Sequence, residues 1–195
     1  MKKIILASNN PGKLREFASL LAPLGLEVIP QAALGIAEAC EPHATFIENA
    51  LEKARHASRL GHLPALSDDS GLCVHALGGA PGVHSARYAG EPKSDARNNE
   101  KLIAALQGVA RRRAFYYCAL VLVTHEADPQ PLIAEGTWEG EIIDTPRGAG
   151  GFGYDPYFYL PSHHCTAAEL ASATKNAESH RGKAMQILAH KLSCR

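Results

Sequence analysis

The spacing of apolar and polar residues predicts strands and helices in alternation. Residues 3–7 form a short apolar run typical of a strand, residues 13–22 repeat with a helical period, and residues 26–30 predict a second strand. A long amphipathic helix is expected over residues 45–60, ended by Gly61. This βαβ-like opening with a further helix is typical of α/β proteins.

Helix starts are marked by residues that cap exposed amides. Thr45 and Glu48 have the spacing of a capping box, and Thr166 and Glu169 repeat it, which predicts two helix starts. Ser94 is expected to cap a third helix over residues 95–106.

The second half of the chain predicts strands joined by long loops. The strands are expected on both sides of a turn at Asp-Asp-Ser-Gly, in AFYYCALVLVTHE and in PLIAEGTWEGEII. GGAPGVHSARYAG and DTPRGAGGFGYDPYFYLP are expected to be loops, and SHRGKAMQILAHKL predicts a last helix. We therefore expect one α/β domain over residues 1–195, with a mixed sheet flanked by helices.

Composition narrows the class of ligand. The chain has 195 residues, of which 46% are hydrophobic, and its 20 Lys and Arg balance its 20 Asp and Glu. With no basic field to attract a nucleic-acid polymer, any bound anion must be held by a local cluster. The N-terminus lacks the apolar run of a signal or anchor, and the five cysteines are scattered, so we expect a cytoplasmic protein without membrane contact.

The segment SNNPGK is the first candidate for chemistry. It lies between a predicted strand and a predicted helix, where free amides and the positive end of a helix dipole favour a phosphate group. Lys13 would add a full charge, although Leu14 stands where a Walker loop has Ser or Thr. The alternative is an ordinary turn whose geometry is set by Pro11 and Gly12.

Two adjacent acids, Asp68 and Asp69, are the second candidate. Neighbouring carboxylates repel unless a cation or a proton offsets them, and Mg²⁺ takes a few carboxylates together with water and substrate phosphates. One acid could then hold the metal while its neighbour, or the same group, accepts a proton from water. Glu41 and Glu48 are further acids nearby in sequence, although a cap role suits Glu48 better. The alternative is a solvated hairpin turn.

Two later segments could contact a flat ring. GAGGFGYDPYF places glycines around Phe152, Tyr154 and Asp155, a combination suited to stacking and to hydrogen bonding at a ring edge. SHRGK opens the last helix, where Arg181 is unfavourable beside the helix dipole unless an anion or a ring acceptor is present. The alternatives are a tight structural loop and a solvated first helical turn.

Six motifs in order closely resemble the inosine triphosphate pyrophosphatase family: SNNPGK, TFIENALEKA, SDDSGL, GGAPGVHSARYAG, GGFGYDPYF and SHRGKA. The resemblance covers essentially the whole chain, and bacterial members match this chain best in length and in the sequences of these motifs. It implies Mg²⁺-dependent hydrolysis of dITP, ITP or XTP to the monophosphate and pyrophosphate. It also implies a homodimer whose subunits have an elongated mixed sheet and two lobes around a central substrate cleft.

The resemblance also assigns roles to residues. It implies that Asp69 is the proton acceptor and a metal ligand, and that Glu41 and Asp68 assist in holding the metal. At Asn9 this sequence departs from the phosphate-binding turn of many family members. The implied substrate contacts are Ser8, Asn9, Asn10, Pro11, Gly12, Lys13, Lys53, Ser70, Phe152, Gly153, Tyr154, Asp155, Lys175, His180 and Arg181. Two other hypotheses stay open: a sensor that binds a purine triphosphate without cleaving it, and a pyrophosphatase for modified pyrimidines.

Overall fold

The computed structural model describes residues 2–194, with all side chains in that range except those of Lys2, Glu16, Leu20 and Leu24. The strands found there are Lys2–Leu6 (β1), Leu26–Pro30 (β2), Ala65–Val74 (β3), Arg113–Val123 (β4), Leu132–Ile142 (β5), Phe158–Leu160 (β6) and Cys165–Thr166 (β7). The α-helices are Pro11–Leu21 (α1), Phe46–Gly61 (α2), Asp95–Ala105 (α3), Ser172–Glu178 (α4) and His180–Ser193 (α5).

The strands form one mixed sheet in the order β2-β1-β3-β4-β5-β6-β7. β1 lies parallel to both β2 and β3, with Ile4 opposite Val28 and Ile5 opposite Ala65. β6 lies antiparallel to β5 and to β7. The predicted α/β class, a mixed sheet flanked by helices, is confirmed.

The chain divides into two compact units that each take part of β3, β4 and β5. Unit 1 comprises Met1–Asp69, Cys118–Gly136 and Arg181–Arg195, and unit 2 comprises Ser70–Tyr117 and Thr137–His180.

Each unit has its own hydrophobic core. In unit 1, Phe17 and Leu21 of α1 and Leu188 of α5 are fully buried against Leu66 and Leu120 of the sheet. Full burial of such a side chain contributes roughly 1.5–3 kcal/mol, so these contacts anchor the helices that carry the candidate residues.

In unit 2, the core forms around the aromatic residues Trp138 and Phe158. They pack with Leu72, Leu102 and Leu160, which brings β3, β5, β6 and α3 together.

Helix α2 begins as predicted but ends differently. The amide of Glu48 donates to Thr45 Oγ1 at 3.3 Å, which confirms the cap. Gly61 is the last helical residue, and His62 takes the left-handed conformation beyond it. A Cβ at Gly61 would lie 2.2 Å from Cδ1 of Ile5, so this glycine allows the Ile5 side chain to pack closely against the end of the helix.

The predicted turn at residues 68–71 is wrong, because β3 continues through it from Ala65 to Val74. Asp68 and Asp69 are buried in this strand, which lies between β1 and β4 in the sheet. The positive partners of the acids, Lys13 and Arg181 for Asp68 and Lys53 for Asp69, override the weak strand preference of this segment.

The helix start predicted at Thr166 is also wrong, because Thr166 ends β7. Its amide still donates to Glu169 Oε2 at 2.7 Å, so the local bond of a capping box forms in a turn. Strands β6 and β7 and helix α4 lie in segments for which the sequence predicted only a loop or a single later helix. No helix in residues 2–194 is long and apolar enough to cross a bilayer.

Candidate active site

The SNNPGK turn is organised by Asn10, which is the N-cap of α1. Its Oδ1 accepts the amides of Gly12 at 2.8 Å and Lys13 at 3.2 Å, and its own amide donates to Ser8 Oγ at 3.3 Å. The amides of Gly12 and Lys13 therefore have a side-chain acceptor, which an incoming phosphate would have to displace. The Lys13 ammonium carries the full positive charge of this turn.

Asp68 lies where three elements meet in unit 1. Its carboxylate forms an ion pair with Lys13 of α1 and accepts from Nε of Arg181 in α5 at 3.3 Å. Cys118 Sγ of β4 is 3.5 Å from Asp68 Oδ2. Burial alone would raise the pKa of Asp68, but the charges of Lys13, Arg181 and Lys53 outweigh it and hold that pKa well below its usual range. Asp68 is therefore a permanent anion at neutral pH.

Asp69, the next residue, has the opposite shift. Burial raises the pKa of Asp69, and the nearby ammonium groups of Lys53 and Lys13 offset this only in part. Asp69 Oδ1 accepts from Lys53 Nζ at 2.9 Å. A carboxylate with a raised pKa binds a proton more readily, which is the property a general base needs.

Lys53 is shared between two acids. Its ammonium lies 2.7 Å from Glu41 Oε1 and 2.9 Å from Asp69 Oδ1. Burial would lower the pKa of Lys53, but the carboxylates of Asp69, Glu41 and Asp68 raise it overall, so the ammonium stays charged. We call Lys13, Glu41, Lys53, Asp68, Asp69 and Arg181 the charge cluster.

Asn49 belongs to the surroundings of this cluster and was not predicted. It is 1% exposed, exchanges two hydrogen bonds with the backbone of His43, and places its Nδ2 3.5 Å from Asp69 Oδ2. Asn49 and Lys53 are four residues apart on α2 and share a face. The sequence alone shows neither the burial of Asn49 nor its approach to Asp69, so sequence reasoning missed this residue.

The metal hypothesis can be tested against these carboxylates. Glu41 and Asp69 already direct oxygens at one cation, the ammonium of Lys53, so this acid pair fits Mg²⁺, which takes few protein carboxylates. Among the side chains that the structure describes, no three His, Cys, Asp or Glu residues converge to hold a metal on their own. Asp68 contacts Lys13 and Arg181 instead, and its predicted role as a metal ligand stays a prediction.

In unit 2, Asp155 is the centre of a second group. Its Oδ2 accepts from Lys175 Nζ at 2.7 Å and from the Phe152 amide at 2.8 Å, and the Tyr116 hydroxyl donates to Oδ1 at 3.4 Å. Lys175 Nζ also lies 5.1 Å from the centroid of the Phe152 ring. Gly151 permits this arrangement, since a Cβ there would lie 2.1 Å from Asp155 Oδ2.

Stacked rings complete this group. The His180 ring lies 4.8 Å from the ring of Tyr116 with an interplanar angle of 11°. Trp138 lies 6.5 Å from the same imidazole. We call Tyr116, Phe152, Asp155, Lys175 and His180 the aromatic cluster. Tyr116, on β4, was not predicted, because nothing in the local sequence relates it to Asp155.

The structure thus sorts the predicted residues into two sets. Ser8, Asn10, Gly12, Lys13 and Lys53 lie in unit 1 with the acids, and the exposed Asn9 and Pro11 lie on the same turn. Phe152, Gly153, Tyr154, Asp155, Lys175 and His180 lie in unit 2, with Ser70 half-buried on β3. Arg181, predicted with the ring-binding set, forms its ion pair with Asp68 of the charge cluster.

Comparison with known proteins gives a consistent result. The sequence model of the Ham1 family matches residues 4–191. A protein of Ralstonia nicotianae named dITP/XTP pyrophosphatase is 67% identical over 195 residues, covering 98% of this chain and 97% of its own length. A protein of Nitrosomonas europaea with the same name is 63% identical and covers 99% of this chain and 95% of its own.

Solved structures agree in fold. A HAM1 protein from Coxiella burnetii superposes with a TM-score of 0.94 at 49% identity, covering 100% of both chains. A nucleoside-triphosphatase, dITP/XTP pyrophosphatase, from Mycobacterium abscessus superposes with a TM-score of 0.78 at 41% identity, covering 95% of this chain and 98% of its own.

Proposed function

The chain belongs to the Ham1 family, and we propose that it hydrolyses non-standard purine nucleoside triphosphates such as dITP, ITP and XTP. The products are the nucleoside monophosphate and pyrophosphate, so the enzyme removes these nucleotides before they enter DNA or RNA. Relatives that are 62–67% identical over almost the whole chain are named dITP/XTP pyrophosphatase, which supports this activity. The structural observation that carries it is the pair of adjacent buried acids, Asp68 and Asp69, each in an ion pair with a lysine of a neighbouring helix.

The reaction is attack of water on the α-phosphorus. The water oxygen bonds to phosphorus, the bond to the bridging oxygen between the α- and β-phosphates breaks, and pyrophosphate leaves with that oxygen. Asp69 accepts the proton of the attacking water, and burial supports this role because it raises the pKa of Asp69. Lys13 and Lys53 would stabilise the negative charge of the phosphate chain.

Glu41 and Asp69 would hold the Mg²⁺ that the resemblance implies. Bound there, Mg²⁺ would neutralise phosphate charge and improve pyrophosphate as a leaving group. Lys53 contacts both acids, so it would have to move toward a phosphate oxygen when these carboxylates take another cation. Asp68 would remain the anion that orients Lys13 and Arg181.

The aromatic cluster would select the base. Hypoxanthine and xanthine carry a carbonyl acceptor at C6 where adenine has an amine, and Lys175 or His180 is suited to donate to it. Arg181 is the other predicted donor to the base. Its ion pair with Asp68, which it shares with Lys13, also suits it to bind a phosphate. Phe152 and Tyr154 would supply the stacking surface and the adjoining turn.

A pyrophosphate assay tests the activity. The purified chain is incubated with dITP and Mg²⁺, and we expect pyrophosphate and dIMP in equal amounts, with Asp69→Asn as the control for contaminating phosphatases. No turnover at any Mg²⁺ concentration would favour a nucleotide sensor instead. Comparison of kcat/KM for dITP, XTP, dGTP and dUTP tests the base, and a preference for dUTP would overturn the purine assignment.

We also propose a homodimer, on the basis of the family resemblance. Light scattering coupled to size-exclusion chromatography measures the mass directly, and we expect about twice that of the 20.8 kDa chain. A monomer that retains full activity would refute this part of the proposal.

A further inference from the structure

One residue of the glycine-rich loop, Gly153, is held at both of its backbone groups by the start of helix α3. The Gly153 amide donates to Asp95 Oδ2 at 2.8 Å, and Asn99 Nδ2 donates to the Gly153 carbonyl at 3.0 Å. Asp95 and Asn99 are one helical turn apart, so both side chains reach the same point. Neither residue lies in a motif to which the sequence assigned chemistry.

These two bonds fix the direction of the chain on either side of Gly153. The amide belongs to the peptide that follows Phe152, and the carbonyl belongs to the peptide that precedes Tyr154. Gly153 has φ of +66°, a left-handed conformation in which a peptide plane is easily reoriented unless it is held. Asp95 and Asn99, which we call the clamp, therefore fix the orientation of the backbone at Phe152 and Tyr154.

Asn99 is buried, and its amide group has a fixed orientation. It is 7% exposed, and its Oδ1 has no hydrogen-bond partner within residues 2–194. Its Nδ2 lies between two carbonyl oxygens, those of Asp95 at 2.8 Å and Gly153 at 3.0 Å, which fixes the orientation of the amide. The side chain is therefore held in the orientation that directs its amide group at the Gly153 carbonyl.

The preceding residue on the helix, Asn98, helps to hold Tyr154. Asn98 accepts the Ala89 amide at 2.7 Å and donates to the Ser85 and Ala86 carbonyls, and the Tyr154 hydroxyl also donates to the Ser85 carbonyl at 2.8 Å. The Tyr154 hydroxyl and Asn98 thus share one acceptor, the Ser85 carbonyl. The backbone of Tyr154 directly follows the Gly153 carbonyl that Asn99 holds.

We propose that Asp95 and Asn99 are positioning residues for base recognition, which hold the Gly153 peptide so that Phe152 and the aromatic cluster keep the geometry that binds the purine. This inference rests on the proposed function and deepens it. Neither residue need touch the substrate, and the phosphate groups are bound elsewhere in the chain. Loosening the clamp should therefore weaken recognition of the base and leave recognition of the phosphates unchanged.

The test compares Asn99→Ala with Asn99→Asp, Asp95→Ala and Asp95→Asn. We expect Asn99→Ala and Asp95→Ala to raise KM for dITP by about three- to tenfold, the effect of a lost hydrogen bond, with kcat changed less than about twofold. Asn99→Asp should be at least as severe, because a carboxylate would face two carbonyl oxygens. Asp95→Asn should restore most of the loss, because Oδ1 of Asn can still accept from the Gly153 amide.

Inhibition by inorganic tripolyphosphate separates positioning from general loosening. It has phosphates and no base, so its inhibition constant should be the same in wild type and in Asn99→Ala. Leu102→Ala is the matched control, since it removes core packing from the same helix and leaves both clamp bonds in place. We expect it to lower the melting temperature without raising KM.

Two outcomes would overturn the clamp while the proposed function stands. One is an active wild type and an Asn99→Ala variant whose KM for dITP is unchanged. The other is an Asn99→Ala variant in which KM for dITP and the inhibition constant of tripolyphosphate rise equally. Wild type that does not hydrolyse dITP would overturn the proposed function and this role together.

Discussion

The charge cluster and the aromatic cluster use opposite means to prepare for a ligand. In the charge cluster, Lys53 bridges two acids and Asp68 bridges two cations, so each group has a partner that it can exchange for a phosphate or a metal. In the aromatic cluster, one carboxylate, Asp155, forms an ion pair with Lys175 and accepts directed hydrogen bonds from the Phe152 amide and the Tyr116 hydroxyl, beside stacked rings. Ionic contacts tolerate movement, whereas stacking and directed bonds select shape. We therefore expect the first cluster to control rate and the second to control which base is accepted.

The largest effect is expected from the same substitution made once in each cluster. Asp69→Asn should lower kcat for dITP about a hundredfold or more, the usual effect of losing a general base. Asp155→Asn should act mainly on KM and on the choice of base, because it weakens the contact with Lys175. Steady-state kinetics of both variants, with melting curves as a control for folding, measure this difference. Near-normal kcat in Asp69→Asn would remove the distinction between the clusters.

The two lysines provide the next comparison. Lys13→Ala should lower kcat/KM about ten- to a hundredfold for dITP, XTP, dATP and dGTP alike, since a charge-assisted hydrogen bond contributes about 1.5–3 kcal/mol and every triphosphate has the same phosphates. Lys175→Ala should instead reduce the ratio of kcat/KM for dITP to kcat/KM for dATP. The four-substrate panel measures both. A base-dependent effect of Lys13→Ala would show that phosphate and base recognition are not divided as proposed.

Acid stability should distinguish the two neighbouring acids within the charge cluster. The folded pKa of Asp68 lies below its ordinary value of 3.8, so its contribution to stability is present above that value and is lost as the pH falls toward the lowered pKa. The folded pKa of Asp69 is raised above 3.8, so its ionisation costs stability as the pH rises through the raised value. The two adjacent residues should therefore have opposite slopes.

Melting temperatures between about pH 3 and pH 7 in a chelating buffer measure these slopes. The melting temperature of Asp68→Asn should fall less than that of wild type as the pH is lowered. The melting temperature of Asp69→Asn should rise relative to that of wild type as the pH increases toward neutral. Changes of a few degrees are expected, because about 1 kcal/mol corresponds to about 2–4 °C in a domain of this size. Equal slopes in both variants would contradict the opposite pKa shifts.

The sequence predicted the features that depend on neighbouring residues. The opening strands, the start of α2 at Thr45, helix α3 and strands β4 and β5 follow from local periodicity and capping, and the structure confirms them. The family resemblance gathered residues that the structure places in two units, several of them in the two clusters.

What the sequence did not predict depends on distant partners. Residues 68–71 look like a turn because their stabilising cations, Lys13 and Arg181, are far away along the chain. Asn49 and Tyr116 were missed for the same reason, since each is recognised only by the acid it approaches. Thr166 and Glu169 make their expected local bond, but Thr166 ends β7 and a turn follows it instead of a helix.

The smallest effect compares one auxiliary contact in each cluster. Tyr116→Phe removes the hydroxyl 3.4 Å from Asp155 and keeps the ring stacked on His180, so we expect KM for dITP to rise roughly two- to fivefold with unchanged kcat. Cys118→Ala removes a thiol 3.5 Å from Asp68, which retains Lys13 and Arg181, so both constants should stay within about twofold of wild type. After Tyr116→Phe, Asp155 keeps Lys175 and the Phe152 amide at Oδ2 but loses a donor at Oδ1, whereas Asp68 keeps two full positive charges after Cys118→Ala. If Cys118→Ala were the more damaging variant, the charge cluster would depend on fixed geometry as much as the aromatic cluster does.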